Sequence, residues 1–165
     1  FILPNAEGID VKLYDELEKG AVVLTWYRGG WCPYCNINMQ YIQSNLEEFT
    51  SRGANLVALT PELPDQTLSM TEKHDLAFQV LTDHNNQVAH TYGLVFKLTP
   101  EVEAIYEESF NLSVHNGNDT GELPLAATYV IDADGVITYC FLHPDYRERA
   151  EIEDITKALD DLQAK

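Results

Sequence analysis

Basic residues are scarce in this chain, and so are cysteines and long apolar runs. Ten lysines and arginines stand against 27 aspartates and glutamates, which gives a formal charge of −17 at pH 7. Nucleic acids and anionic membranes bind positively charged surfaces, so we expect neither as a partner. No apolar run approaches the roughly 20 residues that cross a bilayer. The sequence therefore predicts a soluble, cytoplasmic protein, unless a leader before Phe1 has been removed.

Three cysteines are too few for a scaffold held together by disulfides. Two of them, Cys32 and Cys35, are separated by two residues, and the third is Cys140. No second Cys-x-x-Cys and no suitably spaced histidine pair completes a zinc site, so we expect no metal and no cofactor. A Cys-x-x-Cys beside a strand–helix–strand pattern indicates thiol redox chemistry instead.

The cysteine pair lies inside a predicted βαβ unit. Residues 21–27 are almost wholly apolar, as in a strand covered on both faces. A helical stripe then runs through Cys35, Met39, Ile42, Leu46 and Phe49, and residues 56–59 form a second buried strand. This unit predicts parallel strands joined by a helix.

The rest of the chain predicts one α/β domain, residues 1–165. We expect an N-terminal β-hairpin, a later hairpin from residues 128–131 and 136–142, and a closing helix over 150–162. Residues 115–122 carry no periodicity and predict a loop. The expected architecture is a mixed central sheet with helices on both faces.

The position of Cys32 predicts a reactive thiol. Cys32 precedes the helix at its N-cap, where free N–H groups favour an anion, and Pro33 suits the first helical position. Arg28 is the nearest cation in sequence. Cys35 shares the buried stripe of the helix. By spacing alone, we expect Cys32 to be the exposed, attacking thiol and Cys35 a partly buried resolving thiol.

The motif Trp31-Cys32-Pro33-Tyr34-Cys35 looks like the redox motif of the thioredoxin fold, and Cys-Pro-Tyr-Cys is typical of glutaredoxins. The wider sequence more closely resembles the peroxiredoxins of the alkyl hydroperoxide reductase/thiol-specific antioxidant family. The matching stretches are residues 1–5, 23–35, 72–76, 89–93 and 127–132. The resemblance implies a thioredoxin-like fold of the peroxiredoxin type, with an inserted segment over residues 94–122.

The sequence departs from this family at the site itself. Peroxiredoxins carry Pro-x-x-x-Thr-x-x-Cys, and on this chain the Pro position is Arg28, the Thr position is Cys32 and the peroxide-attacking position is Cys35. A family arginine and the cis-proline of thioredoxins both fall at Ala126, where we expect a trans peptide. Arg28, and after it Arg149, are the candidates to stabilise a thiolate.

The resemblance favours a thiol-dependent peroxidase with an intramolecular Cys32–Cys35 disulfide. An external dithiol system, based on thioredoxin, glutaredoxin or glutathione, would reduce it, and the protein would be a monomer or homodimer. A protein disulfide reductase with Cys32 as nucleophile is the alternative. A redox-sensing or binding module without fast turnover is a third hypothesis. The family alignment names Cys35 as the attacking thiol and the helix geometry names Cys32, so this point stays open.

The remaining predictions concern the surroundings of the pair. Trp31, Pro33 and Tyr34 are expected to shape the pocket and exclude water. Cys140 is expected to be a core residue of a strand, and His143 a surface residue rather than a base.

Overall fold

A five-stranded mixed sheet forms the centre of the structure, a computed structural model that describes residues 1–164. In spatial order its strands are β5 (Gln79–Thr82), β4 (Ala54–Thr60), β3 (Ala21–Trp26), β8 (Ala126–Ile131) and β9 (Ile137–His143). The three strands β3, β4 and β5 are parallel, and β8 and β9 continue the sheet in antiparallel fashion. The predicted βαβ unit and late hairpin are therefore present.

Helices cover both faces of this sheet, as the sequence predicts. The helices are α1 (Leu13–Leu17), α2 (Pro33–Ser44), α3 (Leu46–Thr50), α4 (Pro64–His74), α5 (Gln87–Thr91), α6 (Pro100–Phe110), α7 (Leu112–Asn116) and α8 (Ile152–Gln163). On one face α2, α3 and α8 bury Met39, Phe49 and Ile155. On the other face α1 and α5 bury Leu17 and Ala89. None of the helices within residues 1–164 has the length and apolar character needed to cross a membrane.

Two small antiparallel sheets flank the central one. The predicted N-terminal hairpin consists of β1 (Ile2–Pro4) and β2 (Asp10–Lys12). In the inserted segment, β6 (Val95–Lys97) pairs with β7 (Glu122–Pro124), and α6 and α7 lie between them in the chain. A short antiparallel β-ladder therefore joins the two ends of the inserted segment.

Several predicted boundaries are wrong. The helix after the cysteines divides at Asn45, because Ser44 and Asn45 donate side-chain hydrogen bonds to backbone carbonyls one turn earlier. The predicted loop over residues 115–122 is partly helical, since α7 extends to Asn116. None of the residues of α6 is fully buried, because this helix packs Tyr106 and Phe110 against Trp31 of the loop before α2 rather than against the sheet.

Candidate active site

Both cysteines of the motif lie at the start of α2, after the loop that follows β3. Cys32 is the N-cap of α2 with an extended backbone, and Cys35 stands in the first helical turn. Both are free thiols, and both are 0% exposed. The prediction of an exposed Cys32 is therefore wrong. Side chains from distant parts of the chain cover the helix end, and spacing within the motif carries no information about them.

The loop before Cys32 needs glycine at Gly29. Its φ is +153°, a region that L side chains rarely adopt, and an added Cβ would lie 2.3 Å from Nε1 of Trp31. The same Cβ would lie 2.9 Å from Cδ of Glu62. The indole and the carboxylate can approach this backbone only because no side chain stands there.

A buried carboxylate fixes the next residue of the loop. Oε2 of Glu62 accepts the N–H of Gly30 at 2.8 Å, and Oε1 lies 3.1 Å from Nδ1 of His115. Asn36 donates to the carbonyl of Gly30 at 2.7 Å and to that of Cys32 at 3.2 Å. These bonds to backbone groups hold the loop that carries the first cysteine in one conformation.

Arg28 is the cation in contact with Cys32. Its Nη2 donates to Sγ of Cys32 at 2.9 Å, and its Nη1 donates to the hydroxyl of Tyr106 at 3.1 Å. The guanidinium carbon lies 3.9 Å from the ring centroid of Tyr146 and 5.2 Å from that of Trp31. Stacking on aromatic faces and a fork of N–H donors are the properties that distinguish arginine from lysine.

Arg149 approaches the second cysteine. Its Nη2 lies 3.6 Å from Sγ of Cys35, and its Nη1 donates to the carbonyls of Tyr146 and Glu148. The two arginine candidates from the sequence are therefore both at the site, each beside a different sulphur atom. Arg28 makes the shorter contact.

The two thiols have opposite shifts of their pKa. The hydrogen bond from Cys35 lowers the pKa of Cys32, burial opposes this, and the charge and hydrogen bond of Arg28 lower it further, to about 5. The hydrogen bond to Cys32 and burial raise the pKa of Cys35 well above its ordinary value. Burial lowers the pKa of Arg28, but the charge and hydrogen bond of Cys32, together with Cys35 and Tyr106, raise it overall. At neutral pH the pair therefore holds one proton and one negative charge, with the charge on Cys32.

Aromatic side chains form the wall around the buried sulphur atoms. Trp31 packs against Tyr106 and Phe110 of α6, with ring centroids 5.5 and 5.3 Å apart. Tyr34, 46% exposed, packs edge-on against Tyr146 with centroids 5.4 Å apart. Pro33 is exposed at the first helical position. Glu62, Tyr106 and Tyr146 were not predicted as site residues, because no motif links them to the cysteines.

A cleft of about 340 Å³ opens beside Arg28. Its lining comes mainly from the insertion and from the ends of β7 and β9, and includes Phe96, Leu98, Val102, Tyr106, Pro144 and Tyr146. Ala126 lies in the same lining, and no peptide bond within residues 1–164 is cis, as predicted for the bond before it. The cleft leads from solvent to the arginine and is largely apolar.

The other candidates lie apart from this arrangement. Cys140 is in β9 but is exposed, so the prediction of a core residue is wrong. Side chains along this strand alternate between exposed and partly buried positions, and Cys140 falls on an exposed one. Nδ1 of His143 accepts the N–H of Asp145 at 3.1 Å, and Arg147 pairs with Asp145 at 2.7 Å. Across residues 1–164, no cluster of three or more His, Cys, Asp or Glu residues could hold a metal ion.

Relatives of the chain are found both in sequence and in structure. The peroxiredoxin Bcp of Escherichia coli is 25% identical over 141 residues, 86% of this chain and 80% of that protein. The thiol-disulfide oxidoreductase ResA of Bacillus cereus is 27% identical over 96 residues, 58% of this chain and 54% of that protein. The chain thus spans little more than half the length of several curated relatives that it matches.

The structural likeness extends over nearly the whole chain. The crystal structure of peroxidoxin BcpB from Mycobacterium tuberculosis superposes with a TM-score of 0.75 at 22% identity, covering 99% of this chain and 92% of that one. This likeness shows a thioredoxin-like fold of the peroxiredoxin type. The model of the AhpC/TSA family matches residues 1–140. The chain belongs to the AhpC/TSA family.

Proposed function

We propose that the protein is a thiol-dependent peroxidase in which the Cys32 thiolate attacks a hydroperoxide. One observation carries the assignment of Cys32: Nη2 of Arg28 lies 2.9 Å from its sulphur atom. A thiolate, and not a thiol, is the nucleophile in such chemistry, and a contacting guanidinium stabilises it. Family membership supports the peroxidase chemistry.

The reaction uses both cysteines in turn. The Cys32 sulphur attacks one oxygen of the hydroperoxide, the O–O bond breaks, and an alcohol leaves after taking up a proton. The product is a sulfenic acid on Cys32. Cys35 then attacks this sulphur, so that an S–S bond forms and water leaves. An external dithiol finally reduces the disulfide and is itself oxidised.

Arg149 has a separate role in this proposal. The second step needs the Cys35 thiol to lose its proton, although burial raises its pKa. Nη2 of Arg149, 3.6 Å from Cys35, favours the thiolate at that moment. Arg28 thus serves the attacking sulphur and Arg149 the resolving one. Trp31 and Tyr34, which pack against Tyr106 and Tyr146, exclude water from the sulphur atoms, whereas the lining of the cleft beside Arg28 does not include Trp31, Pro33 or Tyr34.

Access to the sulphur atoms requires a side-chain movement. Cys32 and Cys35 are both 0% exposed, while Tyr146 is 36% exposed and stacks on Arg28. We therefore infer that the Tyr146 ring moves away from Arg28 before the hydroperoxide reaches Cys32. Exposed side chains change rotamer within nanoseconds, so this step need not limit the rate.

Rapid mixing of the reduced protein with cumene hydroperoxide tests the proposed function. We expect stoichiometric loss of both thiols of the pair in a fast phase that becomes faster in proportion to the peroxide concentration. The matched control is the Cys140→Ser variant, which should react like the wild type because Cys140 lies outside the site. Slow thiol loss at every peroxide concentration would contradict the proposal.

Protein disulfide reduction is the second candidate function. It is favoured by the 27% identity to a thiol-disulfide oxidoreductase over the stretch that it shares with this chain. In that case Cys32 would attack a disulfide rather than a peroxide. Fast reduction of insulin disulfides together with slow peroxide consumption would establish this function instead. The single domain, the cytoplasmic location, the identity of the reductant and the monomeric or dimeric state stay predictions.

A further inference from the structure

Two cations at the site have no carboxylate partner. The ion pairs among residues 1–164 include neither Arg28 nor Arg149, so no carboxylate of this part of the chain lies within 4.0 Å of either guanidinium. This is unexpected in a chain with 27 acidic and ten basic residues. The sulphur atoms of Cys32 and Cys35 are the groups that can supply a negative charge here.

Oxidation removes that charge. In the reduced protein the Cys32 thiolate faces Arg28 at 2.9 Å. When Cys32 and Cys35 join in a disulfide, both sulphur atoms become neutral. Arg28 is only 6% exposed, and its Nε has no hydrogen-bond partner. A buried guanidinium that loses its counterion is strongly destabilised unless another anion pairs with it.

The cleft provides the route for such an anion. Arg28 lies on its lining, together with Phe96, Val102, Pro144 and Tyr146. Lys97 lies on the same lining, so the cleft adds a second positive charge and no carboxylate. A guanidinium is more weakly hydrated than an ammonium group. A cation of this kind in an apolar cleft suits a soft, weakly hydrated anion rather than a strongly hydrated one.

We propose that the disulfide form of this protein binds an anion at Arg28, and that its natural ligand is the thiolate of the reducing dithiol. The identity of the ligand rests on the proposed function, whereas the anion site itself rests on the charges and contacts above. The reduced form does not bind the anion, because its own Cys32 thiolate already neutralises Arg28. The site is thus created by oxidation and abolished by reduction.

The reduction step follows from this position. The bound thiolate attacks Sγ of Cys32, a mixed disulfide forms, and the Cys32–Cys35 bond breaks with its electron pair passing to Cys35. Arg149 faces the departing Cys35 thiolate. The second thiol of the reductant, after losing its proton, attacks the reductant sulphur of the mixed disulfide and releases the Cys32 thiolate to Arg28. The protein gains two electrons, and the reductant leaves as a disulfide.

Binding of thiocyanate is the direct test. The protein, in a Cys140→Ser background, is oxidised with diamide, and isotopically labelled thiocyanate is titrated and followed by NMR. We expect saturable binding to the disulfide form and none to the reduced form. The Arg28→Gln variant should lose the binding, and the matched Arg52→Gln variant, altered at a surface ion pair, should keep it. Equal binding to both redox forms, or binding to neither, would overturn the proposal.

Reduction kinetics provide a second test that a merely structural role of Arg28 would not affect. Dithiothreitol attacks disulfides as an anion, whereas tris(hydroxypropyl)phosphine attacks them as a neutral molecule. We expect Arg28→Gln to lower the ratio of the two rate constants about tenfold, since an electrostatic contribution of about 1.4 kcal/mol corresponds to that factor. An unchanged ratio would refute recruitment of the thiolate by Arg28.

The two proposals fail separately. Diamide forms the disulfide without any peroxide, so binding of thiocyanate does not depend on peroxidase activity. If thiocyanate binds only the disulfide form while hydroperoxide does not react, the anion site stands and the peroxidase fails. If hydroperoxide reacts quickly while thiocyanate binds neither form, the peroxidase stands and the anion site fails.

Discussion

Replacing Arg28 by glutamine removes the charge that faces Cys32 while keeping a side chain that can donate a hydrogen bond. Two unit charges about 4 Å apart attract each other by about 4 kcal/mol at an effective dielectric constant of about 20, and the contact between Nη2 of Arg28 and Sγ of Cys32 is shorter, at 2.9 Å. Loss of hydration of both ions offsets part of this attraction. An adjacent opposite charge typically shifts a pKa by about 1–3 units.

We therefore expect Arg28→Gln to raise the pKa of Cys32 by about 2 units, equivalent to about 2.7 kcal/mol. The starting value is about 5, so the thiolate would no longer be fully formed at neutral pH. The assay is the pH dependence of alkylation by iodoacetamide, with the modified cysteine identified by mass spectrometry. Arg52→Gln is the matched control, because Arg52 pairs with Glu48 and Asp160 on the surface.

An alkylation profile of Cys32 that Arg28→Gln leaves unchanged would show that Arg28 does not stabilise the Cys32 thiolate. Arg149→Gln sharpens the comparison, since Arg149 contacts Cys35 and not Cys32. A larger effect of Arg149→Gln than of Arg28→Gln would show that the thiolate resides on Cys35.

Three further predictions concern stability and access. The lowered pKa of Cys32 stabilises the reduced protein at pH values above the pKa of this thiol in the unfolded chain, and this contribution is lost as the pH falls to about 5. Denaturant unfolding should therefore show that the stability advantage of the wild type over Cys32→Ser shrinks as the pH falls from about 9 to about 5. The slope should be at most about 1.4 kcal/mol per pH unit. Gly29→Ala should lower the free energy of unfolding by about 1–3 kcal/mol more than Gly8→Ala. Both positions have positive φ, but only a Cβ at residue 29 would clash with the indole nitrogen of Trp31. Equal losses of stability would contradict this geometry. Tyr146→Ala should speed alkylation of Cys32 roughly tenfold, since a desolvated cation–π contact contributes about 1–2 kcal/mol, whereas Tyr41→Ala on the outer side of α2 should leave the rate unchanged.

The fold was largely predictable because its strongest signals are long and regular. The apolar run that became β3 and the stripe that begins at Cys35 each extend over six or more residues, and burial on the sheet makes such patterns necessary. The strands β6 and β7 have three residues each, too few for a periodicity to be recognised. The division of the helix at Asn45 depends on local side-chain hydrogen bonds, which leave the apolar spacing intact.

The site was predictable only where it is local in sequence or shared with the family. Arg28 was found because it precedes Cys32 by four residues, and Arg149 because the resemblance placed its segment beside the site. Trp31 and Tyr34 of the aromatic wall were predicted because they flank the cysteines, but Tyr106 and Tyr146 were missed, since their positions follow from tertiary packing. The burial of Cys32 has the same cause. A helix N-cap is usually open to solvent, but here Trp31, Tyr106 and Tyr146 surround the guanidinium that covers the sulphur.

Under the proposed function, the chemical environment of the pair reverses the order of attack that the family resemblance implies. Cys35 stands at the peroxiredoxin position for the attacking thiol, yet it is the sulphur with the raised pKa and the longer contact to a guanidinium. A cysteine in place of the family's threonine puts a second sulphur atom within reach of Arg28. If Cys32 attacks first, as proposed, this substitution moves the attacking role to a different residue without a change of fold.

The most direct test of this assignment is to locate the first oxidation product. Cys32→Ser and Cys35→Ser, each in a Cys140→Ser background, are treated with one equivalent of hydroperoxide in the presence of dimedone and analysed by peptide mass spectrometry. Initial attack by Cys32 predicts a rapid dimedone adduct on Cys32 in the Cys35→Ser protein and little adduct in the Cys32→Ser protein. A rapid adduct on Cys35 in the Cys32→Ser protein, together with no adduct on Cys32 in the Cys35→Ser protein, would contradict this assignment.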